Sequence, residues 1–158
     1  VSLRERLASG SFAVTAEISP PRGASTDPIT RTAALLRGWV DAVNVTDNQG
    51  SNARLASWAG SLAVLAAGLE PVMQMTCRDR NRIALQSDLL GASALGIRTI
   101  LVMTGDHPKF GDHPGAKPVF DLDSVQLLWT LRTMRDQAVL LSGRTLNPAP
   151  ECFLGAVE

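Results

Sequence analysis

Short β-rich runs alternate with longer amphipathic runs along this chain, repeating about every thirty residues, the length of a strand–helix unit. The β-rich runs are Phe12–Ile18, Ala42–Thr46, Pro71–Cys77 and Thr99–Thr104. A fifth, Cys152–Val157, begins shortly before the last residue, Glu158. Between them the apolar residues keep helical spacing. Ile29, Ala33 and Leu36 share one face of a helix opened by Asp27 as N-cap and Pro28 in the first turn. Leu55, Ala59, Leu62 and Ala66 form a second stripe, Leu85, Leu89 and Ala92 a third, and Leu127, Leu131 and Met134 a fourth. Gly38, Gly68 and Gly96 stand where three of these helices should end. This order predicts an α/β fold with a parallel sheet and right-handed crossovers.

The two phases of each strand differ. Phe12, Val14, Ala16 and Ile18 alternate with Thr15 and Glu17, and Val43 and Val45 with Asn44 and Thr46. Met73, Met75 and Cys77 alternate with Gln74 and Thr76, and Ile100, Val102 and Thr104 with Leu101 and Met103. A doubly wound open sheet is covered by helices on both faces and needs apolar residues on both. One polar phase, growing more polar toward the strand ends, instead predicts a (β/α)8 TIM barrel with a polar mouth at its C-terminal face. Glu17, Thr46, Gln74, Thr76 and Thr104 would ring that mouth. A full barrel typically takes ~250 residues. Residues 1–158 hold only the first four βα units and the start of the fifth strand, so the expectation is the N-terminal portion of a single barrel domain, a fragment. Two alternatives stay open: two copies pairing through free strand edges, or an open flavodoxin-like sheet.

Composition narrows the function classes. Hydrophobic residues make up 45% and charged residues 19%, the balance of a soluble globular chain. Fifteen Lys and Arg offset fifteen Asp and Glu, so nothing in the net charge draws the chain to nucleic acid or to an anionic membrane. The longest apolar stretch, Leu62–Leu69, is broken by Gly68 and far too short to span a bilayer. Residues Val1–Arg6 hold no signal-peptide core. Cys77 and Cys152 are isolated thiols, which suits a reducing, cytoplasmic setting.

Glu17 ends the first strand and precedes Ser19-Pro20-Pro21-Arg22-Gly23. A carboxylate held at a strand end by a stiff double-proline turn is placed for acid–base work; equally, it could be a surface residue paired with Arg22. Thr104-Gly105-Asp106-His107-Pro108 closes the fourth strand. There Gly105 permits close approach of backbone to a ligand, and Asp106 is either a carboxylate for a polar heterocycle or the cap of a turn. Gly111-Asp112-His113-Pro114 repeats the pattern. Two Asp-His pairs in a proline-bound loop, with no third cluster, argue against a metal and for a lid-like loop. Arg78, Arg80 and Arg82 form a basic cluster, for a phosphate or carboxylate or for salt bridges at a helix start. Cys77 reads as a buried filler, and Trp39, Trp58 and Trp129 as helix packing residues. No GxGxxG or Walker A loop occurs.

Taken in order, Ala16-Glu17-Ile18-Ser19-Pro20-Pro21-Arg22, Val45-Thr46-Asp47-Asn48 and Gln74-Met75-Thr76-Cys77-Arg78-Asp79-Arg80-Asn81 resemble the methylenetetrahydrofolate reductase family. Thr104-Gly105-Asp106-His107-Pro108, Gly111-Asp112-His113-Pro114 and Val119-Phe120-Asp121-Leu122-Asp123-Ser124 continue the resemblance over nearly the whole chain. It extends to the reductase half of fusions with homocysteine methyltransferase. The resemblance implies a barrel with FAD at its C-terminal face, NADH or NADPH as reductant and methylenetetrahydrofolate as substrate. Glu17 would be the acid that assists opening of the folate ring, and Asp106 would lie near flavin and pterin and tune both. Thr46 would stand near the nicotinamide, and Asp47, Gln49, Gln74, Thr104, Gly105, Phe120 and Asp121 would contact the flavin. A cytoplasmic enzyme able to form a homo-oligomer is the corresponding expectation, with a non-catalytic α/β binding module as the alternative.

Overall fold

Among the described residues, five strands form one all-parallel sheet whose neighbours follow chain order. They are β1 Thr15–Ile18, β2 Ala42–Val45, β3 Pro71–Thr76, β4 Thr99–Met103 and β5 Phe153–Ala156. The computed structural model describes residues 1–157, and Glu158 lies outside the described residues. Five helices accompany the strands: α1 Leu3–Ala8, α2 Asp27–Leu36, α3 Ser57–Ala66, α4 Arg82–Ala94 and α5 Ser124–Gln137. Sequential strand order distinguishes the two architectures left open by the sequence. A flavodoxin-like sheet reverses direction at a switch point and carries helices on both faces. Here the order never reverses, and the architecture is a partial TIM barrel.

The strand phases explain the one-sided packing. Ile18, Val45, Met73 and Ile100 stand in register across four strands, all on one face. That face carries the core. Ile18, Val43 and Val45 pack with Ile29 and Ala33 of α2 and with Ala63 and Val64 of α3. Met73, Met75, Ile100 and Val102 pack with Leu85 and Leu89 of α4 and with Leu127, Leu131 and Met134 of α5. Glu17, Asn44, Gln74, Thr76, Leu101 and Met103 belong to the other phase, the inner face. The stripes predicted for α4 and α5 are the buried ones. Gly38, Gly68 and Gly96 follow the ends of α2, α3 and α4 with φ of +85°, +78° and +87°, where a side chain would be strained.

Several local expectations need correction. Asp27 is the first residue of α2 rather than its N-cap; Thr26 holds that position without a side-chain bond. The first strand begins at Thr15, and Phe12 is 87% exposed. Asp41 takes over at Val14, its carboxylate accepting from Val14 N at 2.8 Å, while Arg6 pairs with it at 2.7 Å. Nor are the tryptophans core residues: Trp39 is 80% exposed and follows α2, and Trp58 and Trp129 lie on exposed faces of α3 and α5.

In α3 the buried residues are Ser57, Gly60, Ser61, Ala63 and Val64; of the predicted stripe, Ala59 and Leu62 are only half-buried and Ala66 is exposed. Small residues let this helix approach the sheet. A Cβ built on Gly60 would stand 2.8 Å from Val45 Cγ1 and 3.2 Å from Ile29 Cδ1. Gly60→Ala is therefore expected to lose about 1–3 kcal/mol through overpacking, despite its better helix propensity. Urea unfolding tests this, and an unchanged or raised midpoint contradicts the close approach.

The helix α1 has no counterpart in the sequence reading. Its start is a capping box: Ser2 Oγ accepts from Glu5 N at 3.2 Å, and Glu5 accepts from Ser2 N at 2.8 Å. Leu3 packs with Ala42 and Val72 on the inner face, and Leu3 N donates to Glu70 Oε2 at 2.7 Å. So α1 plugs the N-terminal end of the inner face, leaving the C-terminal end as the open one.

Candidate active site

The inner-face phase brings Glu17 and Gln74 together. Glu17 ends β1 and Gln74 lies near the end of β3, with β2 between them. Gln74 Nε2 donates to Glu17 Oε2 at 3.3 Å. In a barrel, side chains from alternate strands share a layer, and curvature lets them meet across the intervening strand. Glu17 is exposed while Gln74 is buried, so the pair stands at the open end of the inner face. The alternative pairing of Glu17 with Arg22 does not occur: Arg22 Nη2 donates to Asn52 Oδ1 at 3.1 Å.

Beside this pair, the loops after β1 and β2 interlock. Thr46 is buried, and its hydroxyl donates to Ser19 Oγ at 3.3 Å, while Ser19 Oγ donates to Gln49 Oε1 at 2.5 Å. Gln49 itself is exposed on a short 3-10 turn, Gln49–Ser51. Asp47, by contrast, faces inward. Its Oδ2 accepts from Thr76 N at 2.8 Å and from Thr76 Oγ1 at 2.9 Å, and it pairs with Arg80. The Asp47 side chain is 1% exposed, so it braces the ends of β2 and β3.

The loop after β4 divides the remaining candidates. Thr104 is exposed, and its hydroxyl accepts from Ser124 N at 3.2 Å, at the start of α5. Gly105 has φ of +90°, and a Cβ there would lie 3.1 Å from Thr76 Cβ. Its close approach is thus to β3. Asp106 is exposed, and its carboxylate takes no hydrogen bond among the described residues. Phe120 packs partly against the core of α4 and α5. Asp121 accepts from Arg82 Nε and Nη2, each at 2.8 Å, and from Arg82 N at 2.9 Å. These hydrogen bonds, first from the side chain and then from the backbone, lower its pKa to about 2. Together with Val125 and Trp129, Asp121 lines a groove between α4 and α5, on the helix side of the sheet. Phe120 and Asp121 are therefore turned from the inner face.

Each arginine of the basic cluster has a carboxylate partner: Arg78 pairs with Asp79, Arg80 with Asp47 and Arg82 with Asp121. The salt-bridge alternative describes them, and the burial of Arg78 was not foreseen. Burial opposes ionisation of Asp79, but the hydrogen bonds and charge of Arg78 overcome it and hold the carboxyl below its usual pKa. Cys77 is buried, and burial, aided by the charge of Asp123, pushes its thiol up to about 11, which suits a filler and not a nucleophile. The loop after β4 does not arch freely as a lid. Ala53 N donates to Asp112 Oδ1 at 3.1 Å, and Val119 N donates to the Arg78 carbonyl at 2.8 Å. The two histidines, His107 and His113, are exposed. Among the described residues, no three His, Cys, Asp or Glu side chains are placed to hold a metal ion, and no helix is long and apolar enough to cross a membrane.

A larger cavity, about 660 Å³, opens at the N-terminal end and is lined by Arg4, Glu70, Arg98, Arg135 and Cys152. Barrel chemistry sits at the opposite end, where Glu17 and Gln74 are. Comparison with curated proteins finds no match. The family model described as methylenetetrahydrofolate reductase matches residues 2–140, from the capping residue of α1 to beyond the end of α5. The match spans four strands, the Glu17–Gln74 pair and the loops that surround it, and the chain belongs to the methylenetetrahydrofolate reductase family.

Proposed function

We propose that this chain serves flavin-dependent reduction of 5,10-methylenetetrahydrofolate to 5-methyltetrahydrofolate, with NADH or NADPH as reductant. The observation that carries the reading is the Glu17–Gln74 pair at the open mouth of a chain of this family. The donor set there suits a flavin ring, which needs an apolar bed and a few polar edge contacts. Leu101 and Met103, both half-buried, supply apolar surface on the inner face beside Gln74 and Thr76. Gln74 offers an amide edge, and Gln49 and Asp106 add exposed polar groups at the rim. The arginines of the β3 loop are already paired, so a diphosphate would draw on other cations.

FAD, when bound, would supply the hydride carrier between nicotinamide and folate. The residues of the chain would do the rest. Glu17 would give a proton to the folate as its five-membered ring opens, with Gln74 holding the carboxyl group by its Oε2. A ligand laid over the inner face would exclude water from the space between Glu17 and the reacting atoms. Asp106 would stand near flavin and pterin, Thr46 near the nicotinamide, and Gln49, Gln74 and Gly105 along the ring edge; Thr104, first expected there, instead turns its hydroxyl to the start of α5, in the phase of Ile100 and Val102. Asp47 would act through the strand ends it braces, because its carboxylate is buried.

Two half-reactions test this reading. NADH or NADPH should bleach the flavin of the purified protein under anaerobic conditions, and methylenetetrahydrofolate should restore its colour. Flavin that the nicotinamide reduces but the folate never reoxidises overturns the folate assignment.

A further inference from the structure

The largest fully buried side chain is a charged one: Arg78, 2% exposed, in the loop after β3. A buried guanidinium is stable only where its donors are satisfied. Arg78 Nε and Nη2 donate to Asp79 at 2.8 and 2.7 Å, which neutralises the charge. The remaining contacts reach two other loops. Nη2 donates to the Asn48 carbonyl at 3.2 Å and the Asp47 carbonyl at 3.5 Å. Nη1 donates to Ser51 Oγ at 3.2 Å and the Asp106 carbonyl at 3.4 Å. Ser51 Oγ donates to that same Asp106 carbonyl at 2.9 Å and to the His107 carbonyl at 3.2 Å.

Ser51 holds this place in a left-handed conformation, φ +60°, which residues other than glycine seldom adopt. Gly111 lies hard against it: a Cβ there would fall 1.8 Å from the Ser51 carbonyl oxygen. One cation thus joins the loops after β2, β3 and β4. Its attachment to the third is the backbone of Asp106. The Asp106 carboxylate takes no hydrogen bond among the described residues, so its aim is left to the backbone that Arg78 and Ser51 hold and to the nearby charge of Arg78. We propose that Arg78 and Ser51 are positioning residues that set the Asp106 carboxylate at the mouth. The inference rests on the reading of Asp106 as a group near flavin and folate.

The test uses the flavin-loaded, full-length protein with Ser51→Ala, Arg78→Lys and Asp106→Asn. Ser51→Ala removes one hydroxyl, and Arg78→Lys keeps the charge but loses the planar fork. Each is expected to lower kcat with folate by about 10-fold, since small misplacements near reacting atoms are costly. Each should also shift the flavin reduction potential in the direction that Asp106→Asn shifts it. Adding Ser51→Ala to Asp106→Asn should cost nothing further, because the two act through one carboxylate. Additive losses, or an unchanged potential in Ser51→Ala beside a shifted one in Asp106→Asn, overturn the positioning role and leave the reductase reading intact. If Asp106→Asn changes neither kcat nor potential, the role assigned to Asp106 falls and the inference with it.

Discussion

Glu17→Gln is expected to slow folate-dependent turnover by about 10²–10⁴-fold, the usual contribution of a general acid, while flavin reduction by NADH or NADPH proceeds as before. The asymmetry follows from the proposed chemistry. The nicotinamide half-reaction moves a hydride and asks no proton of Glu17, whereas opening of the folate ring does. The substitution is also gentle. Gln keeps the length of Glu and an oxygen that can accept from Gln74 Nε2. Glu17 is exposed, and a change at such a site alters stability by roughly 0.5 kcal/mol or less. A loss of two to four decades corresponds to about 3–5 kcal/mol of barrier, too much for disturbed packing at an exposed residue. Rapid-mixing measurements of the two half-reactions resolve the matter. An unaltered folate half-reaction removes Glu17 from the chemistry, and equal slowing of both halves turns it into a general determinant of flavin binding.

Much of this placement was legible in the sequence because it depends on strand phase. Glu17 and Gln74 share a phase with Asn44, and phase is set by the two-residue repeat of a strand. Knowing which residues face the helices therefore tells which face the mouth. The helix stripes of α4 and α5 were legible for the same reason, with a period of 3.6 residues. Where small residues do the packing, the period misleads. Ser57, Gly60 and Ser61 look polar or neutral, yet they form the buried face of α3 because close approach, not hydrophobicity, selects them. The Ser2–Glu5 capping box was readable as a helix start, but the plug it begins depends on Glu70, which is remote in sequence. Loop residues were the least legible. Whether Asp47, Phe120, Asp121 or Arg78 touches a ligand or a neighbour is decided by how loops from different units meet, and nothing local encodes that. Ser51 carried no signal at all, although its hydroxyl joins two loops.

The ion pair beneath the mouth carries the largest expected effect on stability. Arg80 stands between two carboxylates, pairing with Asp47 through Nη2 and approaching Asp88 with Nε at 3.5 Å. Asp47 is buried, and one of its oxygens, Oδ1, has no hydrogen-bond partner, so it already depends heavily on the others. Removing one member of a buried pair leaves an uncompensated charge. Arg80→Met, which keeps much of the volume, is expected to cost about 3–5 kcal/mol at neutral pH. The pH dependence separates charge from packing. Burial raises the pKa of Asp88; Arg80 lowers it and Asp47 raises it. Without Arg80 the folded-state pKa of Asp88 rises further above its unfolded value. A raised acid stabilises the fold while protonated, below the unfolded pKa, and that contribution is lost as pH rises through the folded pKa. The deficit of Arg80→Met relative to the parent should therefore be largest near pH 7 and shrink toward about pH 4, the unperturbed carboxylate range. Adding Asp47→Asn should recover part of the loss, since it removes the stranded charge. Urea unfolding across this range provides the measurement. A deficit that is constant with pH and untouched by Asp47→Asn would show that Arg80 contributes its aliphatic stem to packing, and that the pair is no electrostatic brace for the strand ends holding Thr46, Gln74 and Thr76.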